Sequence, residues 1–204
     1  DEQRGVVQNE KRQYDNQPYG KVEYLIQETT YPKGHPYSWT VIGSHEDLTA
    51  ASLDAGNDFF KTYYTPNNLS LVIAGDFDPA EAKRLVEKYF GSIPAGPALD
   101  RPTLWIPTLA GEKIIEATDR VPQDRVYMTW PTPPGFAPGD ADLDLASLIL
   151  ADGLSSRLNK ALVYDRQLCT AVQAFQASSE IASWFAIIAT ARPGVSLDEI
   201  EKVV

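Results

Sequence analysis

The sequence predicts an α+β fold. Stretches with apolar residues at helical spacing, opened by capping residues and closed by glycine, alternate with short apolar runs that lie between turn residues. A third observation divides these elements into two sets. Between Ser92 and Pro107, in "SIPAGPALDRPTLWIP", four prolines in sixteen residues deny the backbone a regular ladder and point to an extended connection.

The first stretch, to about Thr30, has helical spacing and is broken by "DNQPYG", where Pro18 and Gly20 end or bend a helix, so two helical pieces are expected. "YPKGHPYSW" follows as a loop rich in proline and aromatics. Ser52 is placed to cap a helix carrying Phe59, Phe60, Tyr63 and Tyr64 toward a core. "TPNN" stops that helix, and "LSLVIAGDF", residues 69–77, reads as a buried strand. Asp78 then caps the best-signposted helix: Pro79 occupies its first turn and Glu81 completes a capping-box spacing. Ala82, Leu85, Val86, Tyr89 and Phe90 line one face, and Gly91 closes the helix.

Beyond the proline-rich stretch, "EKIIEATD" and "RVYMTWPT" read as strands, followed by a turn through "PPGFAPGD" and an apolar helix around Leu143 to Leu150. "GLSSRLNKALVYDR" is expected to be helical, with Leu154, Leu158 and Leu162 at four-residue spacing. "CTAVQAFQAS" and "SWFAIIATA" are expected strands, and Ser196 with Glu199 fits a capping box for a last helix. "LVIAGDFDPAEAKRLV" and "FAIIATARPGVSLDEIEKVV" share the order strand, polar turn, capped helix, which suggests two related domains, each represented in part. The chain opens inside a helix pattern and closes after two turns of another, so both ends read as lying within a longer protein.

Composition narrows the function classes. The chain has 204 residues, 43% hydrophobic and 23% charged, as a globular protein does. Acids outnumber bases 28 to 18, giving a formal charge of −10 with scattered basic residues, which argues against nucleic-acid and anionic-membrane surfaces. No apolar run approaches the roughly 18–20 residues that span a bilayer, so membrane insertion is not expected. One cysteine, Cys169, excludes an internal disulfide and a cysteine metal cluster; its setting reads as a strand with an inert buried thiol. His35, flanked by Pro36 and aromatics, reads as a loop-packing residue, and His45 as a solvated or turn-bonding one. The pairs Asp140/Asp142 and Asp198/Glu199 read as helix starts favoured by the macrodipole.

Five blocks in order, "QRGVVQNEKRQYDNQPYG", "YPKGHPYSWTVIGSHEDL", "FFKTYYTPNNLSLVIAGDFDP", "YFGSIP" and "GLSSRLNKALVYDRQL", resemble the pitrilysin/insulinase family of zinc metallopeptidases, which includes the mitochondrial processing peptidase. The resemblance covers essentially the whole chain and is strongest to bacterial members. It implies a two-layer sandwich of mainly antiparallel sheets with helices on one face, built as parts of two homologous domains. The first, zinc-binding domain would contribute its C-terminal part as residues 1–94, 95–110 would be the linker, and 111–204 would begin the second domain.

In that family an H-x-x-E-H helix supplies two zinc ligands and a general base, and a glutamate roughly seventy residues later is the third ligand. The resemblance places that glutamate at Glu10 and puts the H-x-x-E-H motif upstream of Asp1. Such a site leaves one zinc position for water, which the metal makes easier to deprotonate for attack on a peptide carbonyl. Gln3, seven residues before Glu10 on the same helix face, stands where many relatives carry a glutamate. It can hydrogen-bond as an outer partner of the metal site but adds no negative charge. Without the resemblance, Glu10 would read as one more solvated helix charge. The arginine and tyrosine that contact substrate in relatives correspond here to Val163 and Thr170, so such a pair would have to come from another half-molecule or partner subunit.

The resemblance therefore implies a zinc metalloendopeptidase acting on peptides, with Zn2+ in the full-length parent and none bound by residues 1–204 alone, which would be inactive and prone to self-association. The rival reading is a non-catalytic structural or peptide-holding subunit of the same fold. A plain α+β binding domain is a second rival. Exported bacterial relatives point to the periplasm, with the cytoplasm as the alternative.

Overall fold

The computed structural model describes residues 2–204. The described residues form an α+β fold, and the chain divides into two compact units, one of Asp1–Gly43 with Pro102–Val204 and one of Ser44–Arg101.

The first unit opens with a helical hairpin, α1 (Glu2–Asp15) and α2 (Val22–Thr30), broken where Pro18 and Gly20 predict. Gly20 is required by crowding: a Cβ there would lie 2.0 Å from the Tyr14 carbonyl oxygen. Lys11 is buried between the helices. Its Nζ donates to the Tyr24 hydroxyl at 2.7 Å, lies 4.2 Å from the centre of the same ring and reaches Asp15 at 3.5 Å. Burial works against this ammonium, but Tyr24 and Asp15 outweigh it and the net effect raises its pKa.

The sheet of this unit is antiparallel with strand order β1-β3-β2, from β1 (Arg125–Thr132), β2 (Cys169–Ala177) and β3 (Ser183–Ala191). All three strands fall where the apolar runs predict them. β3 is central, pairs Arg125 with Thr190 and Cys169 with Ala191, and is buried along most of its length, hence its nearly continuous apolar sequence. The helix α6 (Asp140–Ala151) packs against β2, and α7 (Leu197–Glu201) reaches β1 and β3. Leu158, Leu162, Cys169, Val172, Phe185, Ile187 and Ile200 form the core, each large aliphatic side chain contributing about 1.5–3 kcal/mol by leaving water.

Between α6 and β2 the chain makes a turn and then a π-helical segment, Asn159–Asp165. Leu158 and Leu162 point into the core as their spacing predicts, but Leu154 lies in the preceding turn and is exposed. The segment closes when the Leu168 amide donates to the Leu162 carbonyl at 2.8 Å, which places Gln167 in the left-handed region at φ +54°. Cys169 is buried at the head of β2, and burial pushes its thiol pKa up although Arg192 pulls the other way.

The second unit contains α3 (His45–Ala50), α4 (Leu53–Tyr63), a 3₁₀ turn at Pro66–Asn68 and α5 (Pro79–Phe90). The predicted caps form: Ser52 Oγ accepts from the Ala55 amide at 3.0 Å, and Asp78 Oδ1 accepts from Ala80 at 2.7 Å and Glu81 at 3.3 Å. Glu81 does not reciprocate the cap; it grips Arg84 through two hydrogen bonds of 2.6 and 2.7 Å.

Three expectations fail. Phe59, Phe60, Tyr63 and Tyr64 are exposed and stack on one another, with Phe60 and Tyr64 4.6 Å apart and nearly parallel, instead of entering a core. Residues 69–77 form no strand, and Val72 keeps 86% of its surface in water. Residues 112–119 likewise form no strand, leaving Ile114 and Ile115 exposed. An apolar run becomes a buried strand only where a partner supplies the hydrogen bonds and a layer covers its face. Among the described residues of the second unit the regular elements are all helical.

Candidate functional site

Glu10 lies on α1, two turns beyond Gln3, and both side chains are exposed. Among the described residues the Glu10 carboxylate has neither a hydrogen-bond partner nor an ion pair, while the side chains of its neighbours Lys11 and Arg12 are engaged with Tyr24 and Asn9. Glu10 thus presents an uncommitted carboxylate at a fixed place on a rigid backbone, as Glu2 does in the first turn of the same helix.

Among the described residues, no three histidine, cysteine, aspartate or glutamate side chains come together as a metal-holding group. His35 cannot serve as a ligand. Its Nδ1 accepts from the Tyr37 amide at 3.0 Å, so the proton sits on Nε2, which donates to the Trp105 carbonyl at 2.8 Å. The ring is fully buried and stacks on Tyr31, 4.5 Å between centroids. This is the loop-packing role its sequence setting predicts. Burial, with a contribution from Tyr37, pushes the Tyr31 phenol up to about 12. His45 sits just past the Ser44 cap as the first residue of α3. One carboxylate falls short of the three protein ligands a catalytic zinc takes, so the described residues by themselves do not fit the ion.

Val163 and Thr170 lie on the π-helical segment and on β2. Val163 packs against the core, whereas Thr170 is exposed and its hydroxyl makes long bonds of 3.4 Å to the Thr190 carbonyl and the Gln123 amide oxygen. Nearby, Leu154, Ser155, Lys160, Tyr164 and Asp165 line a shallow open depression, with Lys160 and Asp165 paired at 2.7 Å. Neither position carries the charge or the phenol that would grip a peptide.

Two constellations escape sequence reading. Asp140, expected only to favour a helix start, is buried and accepts three hydrogen bonds: from Ser178 Oγ at 2.6 Å, the Phe136 amide at 2.8 Å and Gln176 Nε2 at 3.1 Å. These bonds, Ser178 first, hold its carboxyl below the usual carboxylate range. Tyr19, at the α1–α2 corner, adopts φ +63° and contacts Asp119, Gln123 and Arg125. The sequence signal for Tyr19 was its place between Pro18 and Gly20; for Asp140 no local signal exists, since its side-chain partners are more than thirty residues away.

The antiparallel sheet with helices against it makes this an α+β fold, and a family-model match over most of its length shows that the chain belongs to the M16 peptidase family. Residues 50–204 match the family model described as the Peptidase M16 inactive domain. The zinc protease PqqE of Helicobacter pylori is 31% identical over 98% of this chain and 46% of that protein. The uncharacterized zinc protease YmxG of Bacillus subtilis is 25% identical over 87% of this chain and 42% of that protein. The crystal structure of a protease from Helicobacter pylori superimposes with a TM-score of 0.82 at 28% identity, covering 98% of this chain and 49% of that one. The chain therefore spans about half the length of the curated relatives it matches. The described helices include none long and apolar enough to cross a membrane.

Proposed function

We propose that residues 1–204 are part of a zinc metalloendopeptidase in which Glu10 is the third zinc ligand and Gln3 its outer hydrogen-bonding partner. The observation that carries this reading is the exposed, uncommitted carboxylate of Glu10 in a chain 31% identical, over nearly its whole length, to a protein named as a zinc protease. The H-x-x-E-H helix belongs to the parent outside these residues, and residues 1–204 alone are inactive. By descent, 1–94 would close the metal-binding domain, 95–110 would link, and 111–204 would begin the related domain; compact units and descent are separate criteria. Peptide substrate would be enclosed against a second half-molecule or subunit that supplies the arginine and tyrosine absent at Val163 and Thr170. The periplasm is the proposed compartment. Self-association of the 204-residue chain through its exposed apolar residues is part of the same proposal.

The test is zinc content and peptidase activity of the full gene product beside Glu10→Gln. The variant is expected to lose both while keeping its fold; retention of zinc at the original stoichiometry would sink the assignment. A second reading, a structural or peptide-holding subunit without catalysis, is favoured by the match to the inactive-domain model. It predicts a gene product that binds peptide but holds no zinc.

A further inference from the structure

We infer that Tyr19 is a positioning residue that locks the α1–α2 hairpin onto the segment leading into β1, so that the orientation of α1 is set at this corner. The inference goes beyond the reading of Glu10, because it concerns how α1 is docked and holds or fails whatever the carboxylate binds.

Three separate parts of Tyr19 are engaged with one short stretch about a hundred residues further along the chain. Its main-chain N–H donates to Asp119 Oδ2 at 3.1 Å, and its hydroxyl donates to the Gln123 carbonyl at 2.6 Å. The Arg125 guanidinium lies over its ring, 3.8 Å from the centroid, close enough for cation–π attraction. Arg125 is itself held, since its Nε donates to Thr190 Oγ1 at 2.9 Å on the central strand and Nη1 donates to the Tyr127 hydroxyl at 3.4 Å. The chain of contacts therefore runs from the helix corner through Arg125 to β3, the most buried strand of the unit.

The backbone gives an independent argument. Tyr19 sits at φ +63°, a region that side chains other than glycine, asparagine and aspartate seldom enter. A bulky residue stays in such a conformation only where its surroundings over-determine it, and such residues gather where a fold needs a fixed geometry. Here the strained backbone aims amide, ring and hydroxyl at Asp119, Arg125 and Gln123 together. Further ties hold the end of α2 and the loop after it, with Lys113 donating to the Thr29 carbonyl at 2.7 Å and His35 to that of Trp105. Lys11 and Tyr24 join α1 to α2, so the hairpin moves as one piece on whatever fixes its corner.

The test is amide hydrogen exchange of the full gene product in four forms: native, Tyr19→Phe, Tyr19→Asn and Arg125→Met. Asparagine tolerates positive φ, so Tyr19→Asn preserves the corner while removing ring and hydroxyl. It is expected to speed exchange of α1 amides by about tenfold or more, with β3 and α5 amides unchanged. Tyr19→Phe keeps the ring beneath Arg125 and should restore part of the protection, and Arg125→Met should resemble Tyr19→Asn. Unchanged α1 protection in Tyr19→Asn, parallel acceleration of α1, β3 and α5, or a Tyr19→Phe variant as loose as Tyr19→Asn would each overturn the inference. Zinc retention by Glu10→Gln in the full gene product would strike the proposed function alone and leave the exchange result to decide this one.

Discussion

His35 Nε2 donates to the Trp105 carbonyl oxygen at 2.8 Å across seventy residues of sequence. The bond joins the loop after α2 to the stretch that leads away from the second unit, and Tyr31 and Tyr37 close around the same ring. Replacing His35 by alanine removes a fully buried ring and leaves two main-chain groups without their partner. The expected loss is roughly 2–4 kcal/mol, read as a lower urea midpoint with an unchanged slope.

Asp140 makes stability acid-sensitive. Its carboxyl in the folded chain lies below the ordinary range because Ser178, the Phe136 amide and Gln176 all donate to the charged form. A lowered folded pKa stabilises the fold above the unfolded pKa of about 4 and loses that contribution as pH falls through the folded value. Stability measured downward from neutrality should therefore begin to fall near pH 4, and Asp140→Asn should flatten part of that slope. An identical acid limb in the two proteins would show that the network does not titrate.

Gln167 ends the π-helical segment at φ +54°, a position glycine takes without steric cost. Gln167→Gly is expected to raise stability by about 0.5–1 kcal/mol, the relief of left-handed strain exceeding the entropy lost by the freer chain. A midpoint that falls instead would show that the glutamine side chain does more than fill the cap.

Leu162 is fully buried beneath β2, in contact with the core that includes Leu158 and Ile200. Leu162→Ala should cost about 2–5 kcal/mol, and Val163→Ala, at a half-buried neighbouring position, clearly less. Thermal melts of the two variants check the order.

What could be read in the sequence was local. Ser52, Asp78 and Ser196 cap helices because an N-cap joins a side chain to an amide two or three residues on, and the chain itself records that spacing. β1, β2 and β3 were legible because each has a partner to pair with. Residues 69–77 have the same apolar character as β3, yet composition cannot say whether a neighbouring strand will arrive, and the aromatic set of α4 was misread for the same reason. Tyr19 and Asp140 were missed as network residues because their side-chain partners lie far along the chain; Pro18 and Gly20 mark a corner at Tyr19 but not what it contacts. Glu10 stood out through resemblance alone; its spacing within α1 is that of any solvated helix carboxylate.

The first compact unit is discontinuous, with Ser44–Arg101 intervening between its two parts. On a ribosome, the Tyr19 corner would emerge about a hundred residues ahead of Gln123 and Arg125, a delay on the order of ten seconds at ordinary elongation rates. Throughout that interval the hairpin would depend on contacts of its own, above all the Lys11–Tyr24 pair, and nascent chains stalled before residue 119 would carry it undocked.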